Sequence, residues 1–252
     1  QRGCLVCGAP GRACASRRLH TVDQLQSIAK QRMEAYFWHH DAAGVVDLVS
    51  QSLLEEVLTT PKPGLVDRRN TGSHRDMDVS TFRRSIDALR PYWLRCLEIG
   101  REAEGGQIFC RLRVAGLEAE RKMLDATHGV NTHKGAIFLI GVVCGALGKL
   151  WRAEVPRWNV EGVLTECSHL TADQLSLELE TMQTVKEAAT NGQRLYAQYG
   201  LAGARGEMRA GLPSVGMIGI PAFRRALAAG HSRNDAAVIT LLYLMAQVED
   251  TN

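Results

Sequence analysis

The sequence predicts an all-α fold, a single multi-helix bundle with functional loops at one end. Three observations support this. Apolar residues recur at intervals of three and four through most of the chain, which is the period of one helix face. No segment alternates apolar and polar residues between hairpin turns, so no sheet is expected. Gly135–Gly148 is a run of 14 uncharged residues. A membrane span needs about 20 apolar residues, so this run suits a buried core helix.

Residues 1–20 stand apart in composition, with three Cys, four Arg and three Gly. They read as a small loop-rich module or the tail of a preceding domain, with the helical domain covering 21–252. Thr21 opens a helix, with Gln24 placed for a capping box. A second helix is expected over Val45–Leu58, where Val46, Val49, Leu53 and Val57 share one face. Thr59–Val79 has Pro61, Pro63, Gly64 and Gly72 and little periodicity, so it reads as a long loop of the kind that often carries function. Phe82, Ile86, Leu89, Trp93 and Leu97 mark the next helix, with a kink or break expected at Pro91. A helix over about Ile108–Ala126, a polar loop at Thr127–Lys134 and the buried helix Ala136–Leu150 follow. Gly141, Gly145 and Gly148 in that helix permit close helix approach. Thr171 with Gln174 is a further candidate capping box, opening a helix through Leu175, Leu179, Met182, Val185 and Ala189. Gly200–Gly219 reads as a Gly-rich connection, and two helices end the chain near Ala222–Ala229 and Asp235–Val248. No internal repeat is present.

With 45% hydrophobic and 23% charged residues in 252, the composition is that of a folded globular chain. The net charge of +3 is concentrated at one end. Arg2, Arg12, Arg17, Arg18 and Lys30 against Asp23 leave the remaining body near neutral, which argues against nucleic-acid binding. The N-terminus has no apolar signal-peptide core. Seven cysteines, an odd number and mostly scattered, suit reduced thiols, so a cytoplasmic location without membrane association is expected. The chain begins Gln1-Arg2 without an initiator Met and stops just after an apolar helical run, as a fragment would. Cys4, Cys7, Cys14 and His20 have C-x2-C-x6-C-x5-H spacing. The first pair matches a zinc knuckle and the rest is unusual, so a structural zinc site stays open while reduced thiols in a remnant are preferred.

Several familiar motifs are missing. There is no G-x-G, and GVVCGALGKL fails the P-loop pattern, with Val143 in place of Gly and Leu150 in place of Ser or Thr. Polar chemistry gathers instead in three loops. TPKPGLVDRRNTGSHRDMD (60–78) interleaves cations with carboxylates, as a metal–polyphosphate site needs. Asp and Asn as turn formers in a solvated loop explain the same composition. THGVNTHKG (127–135) leads into the buried helix, whose free N–H groups together with Lys134 form an anion site; simple capping is the plainer alternative. YGLAGARGE (199–207) lets backbone approach a ligand and offers Arg205 for phosphate, or is a flexible helix–helix turn.

Together the segments EVLTTPKPGLVDRRNTGSHRDMD (56–78), GLEAERKMLDATHGVNTHKGAIF (116–138), YGLAGARGEMRAGLPSV (199–215) and LMAQVEDTN (244–252) resemble the triphosphoribosyl-dephospho-CoA synthase family. The first twenty residues resemble the C-terminal end of the holo-citrate-lyase synthase family, the transferase that attaches the finished prosthetic group. The resemblance implies the second half of a fusion, with a synthase lacking the segment that normally follows its D-T-N motif. It also implies a reaction. ATP donates its 5-triphosphoribosyl group to the 2′-hydroxyl of 3′-dephospho-CoA, and adenine leaves. The product is the precursor of the prosthetic group of citrate lyase, or of malonate decarboxylase, and the downstream partner is the citrate lyase acyl carrier protein through the fused transferase.

That chemistry asks for a base at the acceptor hydroxyl, a carboxylate near the ribosyl cation, a proton for adenine, and Mg²⁺ with cations on the triphosphate. On the resembling positions, Asp67 is assigned as base or cation stabiliser and His74 as acid or phosphate ligand. Lys62, Arg75, Lys134 and Arg205 are assigned to the triphosphate, and Asn70, Asn131, Thr132 and His133 as orienting groups. Ser73 and Glu207 complete the substrate-binding set. Glu56, Asp76, Asp78, Glu120 and Asp250 are the candidate Mg²⁺ ligands. The three loops are expected to converge, with Asp67, His74, Lys134 and Arg205 on one cavity. The competing readings are a helical metal-dependent nucleotide hydrolase and a non-catalytic module that binds CoA or an acyl carrier protein.

Overall fold

Local helical periodicity is realised almost throughout the computed structural model, which describes residues 3–152, 158–184 and 202–248. Among these residues there is no strand, only an isolated bridge between Gly3 and Pro10. No described helix is long and apolar enough to cross a membrane. The helices are α1 (Gly11–Ser16), α2 (Val22–Leu58), α3 (Val79–Glu102), α4 (Gly105–Ala126), α5 (Lys134–Leu150), α6 (Val160–Thr184), α7 (Gly203–Arg209), α8 (Ile220–Ala228) and α9 (Arg233–Gln247), with a π-helical stretch at Ser214–Gly219. The chain divides into two compact units, one of residues 1–45 with 152–155 and one of residues 46–151 with 156–252.

In the first unit Thr21 and Gln24 form the expected reciprocal capping box. The Thr21 N–H donates to the Gln24 side chain (3.0 Å) and the Gln24 N–H to the Thr21 hydroxyl (3.2 Å). The two helices expected after this cap are one. α2 runs unbroken from Val22 to Leu58, because Gln31–Gly44 lacks any proline, a lone glycine does not stop a helix, and Trp38 and Ala42 are buried at i, i+4 spacing.

α3 begins at Asp78, whose carboxylate accepts from the Thr81 N–H (2.9 Å), the Thr81 hydroxyl (2.9 Å) and the Ser80 hydroxyl (2.7 Å). These donors hold the Asp78 carboxyl at about 2. The helix is not broken at Pro91. Pro91 is exposed, and so is Asp87, whose carbonyl loses its helical partner, so water can satisfy that carbonyl. The opposite face, Ile86, Leu89, Trp93 and Leu97, is buried as the spacing predicts.

α5 packs against α3, α4 and α6, and from Ala136 to Leu150 none of its residues is exposed. Its glycines set the spacing. A Cβ on Gly100 of α3 would overlap the carbonyl of Gly145, and a Cβ on Gly148 would overlap the carbonyl of Leu97. A Cβ on Gly141 would strike the Tyr92 hydroxyl, which donates to the Ile137 carbonyl (2.9 Å).

The helix expected to open at Thr171 instead begins at Val160. Thr171 is fully buried, and its hydroxyl donates to the Cys167 carbonyl one turn back (2.8 Å), which seats it in a helix interior rather than at a cap. Val163, Cys167, Leu170, Leu175 and Leu179 form the buried face; the side chain of Met182 and residues Val185 and Ala189 lie outside the described residues. The connection expected over Gly200–Gly219 contains α7 and the π-helical stretch. Short apolar and small residues support these turns once α6 covers them, with the Ser168 hydroxyl donating to the Arg209 carbonyl (2.6 Å).

Gly100→Ala and Gly148→Ala are each expected to lose about 2–3 kcal/mol of stability, since overpacking against backbone exceeds the gain in helix propensity. Gly44→Ala, where a Cβ meets nothing within 4 Å, is expected to gain about 0.5–1 kcal/mol. Urea midpoints of the three variants check the contrast.

Candidate active site

The first loop is organised around Asp67. This residue is 4% exposed. Its carboxylate accepts from the backbone N–H groups of Arg69 (2.7 Å), Asn70 (3.0 Å) and Lys62 (3.3 Å). The Arg69 N–H, and then those of Asn70 and Lys62, hold its carboxyl below the usual range despite burial. The Asp67 N–H in turn donates to the Asn70 carbonyl (3.0 Å), and the Asn70 side chain accepts from the Gly72 N–H (2.8 Å). Gly72, at φ +59°, lies so close to Gly64 that any Cβ would overlap its carbonyl. The Ser73 N–H closes the loop onto that carbonyl (3.0 Å). Lys62 is buried and donates to both the Glu56 carboxylate (2.7 Å) and carbonyl (2.8 Å). His74 is half-buried 4.0 Å from Asp76, and Ser73, Arg75 and Asp76 are exposed. The loop is fastened from α9. Asn234 accepts from the Thr60 N–H (2.9 Å) and donates to the Thr60 carbonyl (2.7 Å).

The second loop is a helix-stop followed by a helix-start. After α4, the Gly129 N–H donates to the Leu124 carbonyl (2.7 Å) with His128 at φ +57°, a Schellman ending in which His takes the place usually given to Gly. The Lys134 N–H donates to the Asn131 side chain (3.2 Å). His133, at the N-cap of α5, makes no side-chain cap. It is 5% exposed. Its Nδ1 sits 2.7 Å from the Ser85 hydroxyl of α3 and its ring meets Phe82 edge-on. Burial pushes its imidazole down to about 4. Nε2 of His133 and Oγ1 of Thr132 are buried with no partner among the described residues.

A cavity of about 540 Å³ opens beside this helix start. Phe109, Leu112, Ile137, Phe138, Val142 and Leu179 form its apolar floor. Arg113, Glu120, Lys134 and Arg205 line it as well, with Gly116 of α4, Gly135 of α5 and Gly203 of α7 bringing backbone to the wall. Lys134 pairs with Glu120. Glu178 pairs with both Arg113 and, at 3.5 Å, Arg205. The N–H groups of Gly135 and Ala136 have no partner among the described residues, and Lys134 and Gly135 of this helix start line the cavity.

Only part of the expected set shares the cavity. Lys134, Arg205 and Glu120 line it; Asp67 and His74 do not. The first loop reaches the second through α3, by the Ser85–His133 contact and by the Arg84 guanidinium on the Ala126 carbonyl (3.2 Å). Glu207 accepts from the Ser214 N–H (3.1 Å) and hydroxyl (2.6 Å), and so organises the third loop. Asp78 caps α3. Asp250 lies outside the described residues, as do Tyr199, Gly200 and Leu201. Among the described residues, Glu56, Asp76, Asp78 and Glu120 do not gather into a cation-binding group. Sequence reasoning overlooked Arg113, Glu178 and Ser85. The signal for Arg113 was present: Phe109, Leu112, Arg113, Gly116, Leu117 and Glu120 form one stripe of α4 at helical spacing, and all of them line the cavity.

The lowered His133 pKa has a thermodynamic consequence. Between pH 6.5 and about 4 the unfolded imidazole takes up a proton that the folded one refuses, so stability falls as pH drops through this window. Wild-type protein is expected to lose about 2–3 kcal/mol across it. His133→Gln removes that slope. Urea unfolding at a series of pH values measures both.

A family model described as ATP:dephospho-CoA triphosphoribosyl transferase matches residues 42–252. A probable 2-(5''-triphosphoribosyl)-3'-dephosphocoenzyme-A synthase of Vibrio cholerae serotype O1 is 41% identical over 211 residues, which cover 81% of this chain and 66% of that protein. The chain therefore spans about two thirds of the length of that relative. The 2-(5''-triphosphoribosyl)-3'-dephosphocoenzyme-A synthase of Pectobacterium atrosepticum is 39% identical over 229 residues, 90% of this chain and 75% of that protein. The protein of the same name in Haemophilus ducreyi is 37% identical over 265 residues, 98% of this chain and 78% of its own length. No solved structure matches the chain. The cavity, its cationic lining and the three polar loops all fall inside the matched region, and the chain belongs to the ATP:dephospho-CoA triphosphoribosyl transferase family.

Proposed function

We propose that this chain transfers the 5-triphosphoribosyl group of ATP to the 2′-hydroxyl of 3′-dephospho-CoA and releases adenine. The observation that carries the reading is the cavity itself, an apolar and aromatic floor beneath Lys134, Arg113, Arg205 and the uncapped start of α5. A nucleoside triphosphate has the same polarity, a flat apolar base at one end and a polyanion at the other. The bond from ribose C1′ to adenine breaks with its electron pair going to the base. The bond from C1′ to the acceptor oxygen forms, and the proton of the acceptor hydroxyl balances the adenine anion. No phosphoryl group moves, which agrees with the absence of a P-loop.

In this reading Phe109 and Phe138 support the base, and Lys134, Arg205 and the N–H groups of Gly135 and Ala136 take phosphate oxygens. His133 and Thr132 do not line the cavity, and we assign them to positioning the start of α5, through the Ser85 contact of His133. Asp67 is held ionised, which makes it a weak base and a firm anion. We assign it to keeping the first loop in shape and to electrostatic support of the ribosyl cation, in preference to proton abstraction. His74, half-buried in the same loop, is the remaining candidate for proton transfer. Among the described residues the candidate carboxylates do not gather into a group of three or more, and no step is routed through a metal. The product would feed the prosthetic group of citrate lyase or malonate decarboxylase in the cytoplasm, with an acyl carrier protein as the eventual recipient.

The test is product analysis after incubating the chain with ATP, Mg²⁺ and 3′-dephospho-CoA. Free adenine is expected; ADP or AMP without adenine would mean a hydrolase, and binding without product would mean a non-catalytic module. Lys134→Ala is expected to raise KM for ATP roughly tenfold with kcat little changed, because it removes a contact made in ground and transition states alike. Asp67→Asn places a donor where a carboxylate accepts three backbone N–H groups. It is expected to lower kcat by about 10²-fold and to lower Tm by several degrees, as losing about 1–2 kcal/mol of buried hydrogen bonding requires. Steady-state kinetics and a thermal melt separate the two effects.

A further inference from the structure

We propose that Cys4, Cys7, Cys14 and His20 form a structural zinc site that holds the first twenty residues together. The preference for reduced thiols rested on the unusual spacing after the first pair, and the fold removes that objection. One ligand atom from each of the four residues lies within 4.8 Å of all the others. The Cys7 and Cys14 sulfurs are 3.3 Å apart, and His20 Nε2 is 3.4 Å from the Cys7 sulfur. Zinc–sulfur bonds of about 2.3 Å and zinc–nitrogen bonds of about 2.0 Å give tetrahedral edges of about 3.5–3.8 Å. The four donors are therefore at the right separation or a small side-chain rotation away from it.

The backbone explains how they meet. Cys4 and Cys7 flank a tight turn in which the Gly8 N–H donates to the Cys4 carbonyl (3.0 Å) and the Cys4 N–H to the Ala9 carbonyl (2.6 Å). Gly8 takes φ +73°, and the Gly3–Pro10 bridge closes the turn. Cys14 comes from α1, and the Leu19 N–H donates back to its carbonyl (3.2 Å), which returns the chain so that His20 faces the knuckle. Thr21 then caps α2.

An independent observation concerns what else could hold this segment. Among residues 3–20 only Cys14 is buried, while Leu5 and Leu19 are 45% and 57% exposed. A helix of six residues and a turn do not persist without packing, and small segments lacking a core commonly rely on a metal or a disulfide. Three thiolates and an imidazole are the donor set of zinc, and oxygen-seeking cations are poorly served by them.

The experiment is metal analysis of the purified chain, with cobalt substitution as a probe of geometry. One zinc per chain is expected. Cys7→Ser, which alters an exposed residue, should lose it, and His20→Cys should keep it. Cobalt(II) in place of zinc should give the intense visible bands of a tetrahedral thiolate site. Protease should cleave within residues 3–20 of the chelated protein and spare the metal-loaded one, while the helical circular dichroism of the remainder persists and shows that Cys7→Ser still folds. Metal-free protein with a mass two hydrogens lower would indicate a Cys7–Cys14 disulfide and overturn the proposal. Zinc content unaffected by Cys7→Ser, or cobalt bands absent, would overturn it as well.

Discussion

The backbone contact between α3 and α5 is the constraint on which the larger unit depends. Helix axes ordinarily stand 8–10 Å apart because side chains separate them. Here Gly100, Gly145 and Gly148 remove the separating atoms, so the two backbones touch with no room for a methyl group. Each glycine gives up helix propensity of about 1 kcal/mol, and the contact gives in return a fixed register between the helices. That register carries along α5. Tyr92 meets the Ile137 carbonyl midway, and Ser85 meets His133 at the end. Lys134 and Gly135 are therefore delivered to the cavity wall by packing rather than by their own loop. Gly145 also admits Leu112 of α4, to within 2.7 Å of where a Cβ would stand, so the helix that supplies one wall of the cavity is set by the same run of small residues.

The polar residues divide by what they do with their hydrogen bonds. Asp67, Asn70, Asp78 and Glu207 direct theirs to nearby backbone or hydroxyl donors, and so they shape the loops. Arg113, Lys134 and Arg205 line the cavity, and among the described residues they form ion pairs with Glu120 and Glu178. Such partly exposed pairs are worth about 0–1 kcal/mol. On the proposed reading, pairs this weak yield to a polyanion. A buried pair could not be exchanged so cheaply, since separating it leaves a desolvated charge.

How far the sequence anticipated the structure follows from the range of each interaction. Periodicity placed α3, α4 and α5 because their buried faces are local patterns, and the glycines of α5 announced a close approach because small residues at three- and four-residue spacing have few other uses. The split of α2 into two expected helices arose because Gln31, Arg32, Glu34 and His39–Asp41 surround the buried i, i+4 pair Trp38 and Ala42 and obscure it. Thr171 was misread because a hydroxyl caps a helix start and bonds back within a helix equally well; only the partner, the Cys167 carbonyl, decides. The loops were legible as loops, and their membership in one family's pattern was legible from whole strings such as PKPGLVD and NTHKGAIF. Which side chains share the cavity was not. Arg113, Glu178 and Ser85 sit on ordinary helical stretches, and their relevance depends on contacts 65 and 48 residues away in sequence.

The proposed reading places a triphosphate at the start of α5 in a chain without a glycine-rich phosphate loop. A helix start ordinarily receives a Ser, Thr, Asp or Asn cap that consumes its free N–H groups. Here the N-cap residue is His133, and its side chain turns away to Ser85 and Phe82 instead. Asn131 takes only the Lys134 N–H, which leaves the next two groups unpaired. The imidazole stays neutral at physiological pH because burial opposes its charge, so it neither repels the Lys134 ammonium nor competes with it for an anion. On the proposed reading, uncapped backbone, Lys134 and the two arginines that share Glu178 take at this helix start the place of a phosphate loop.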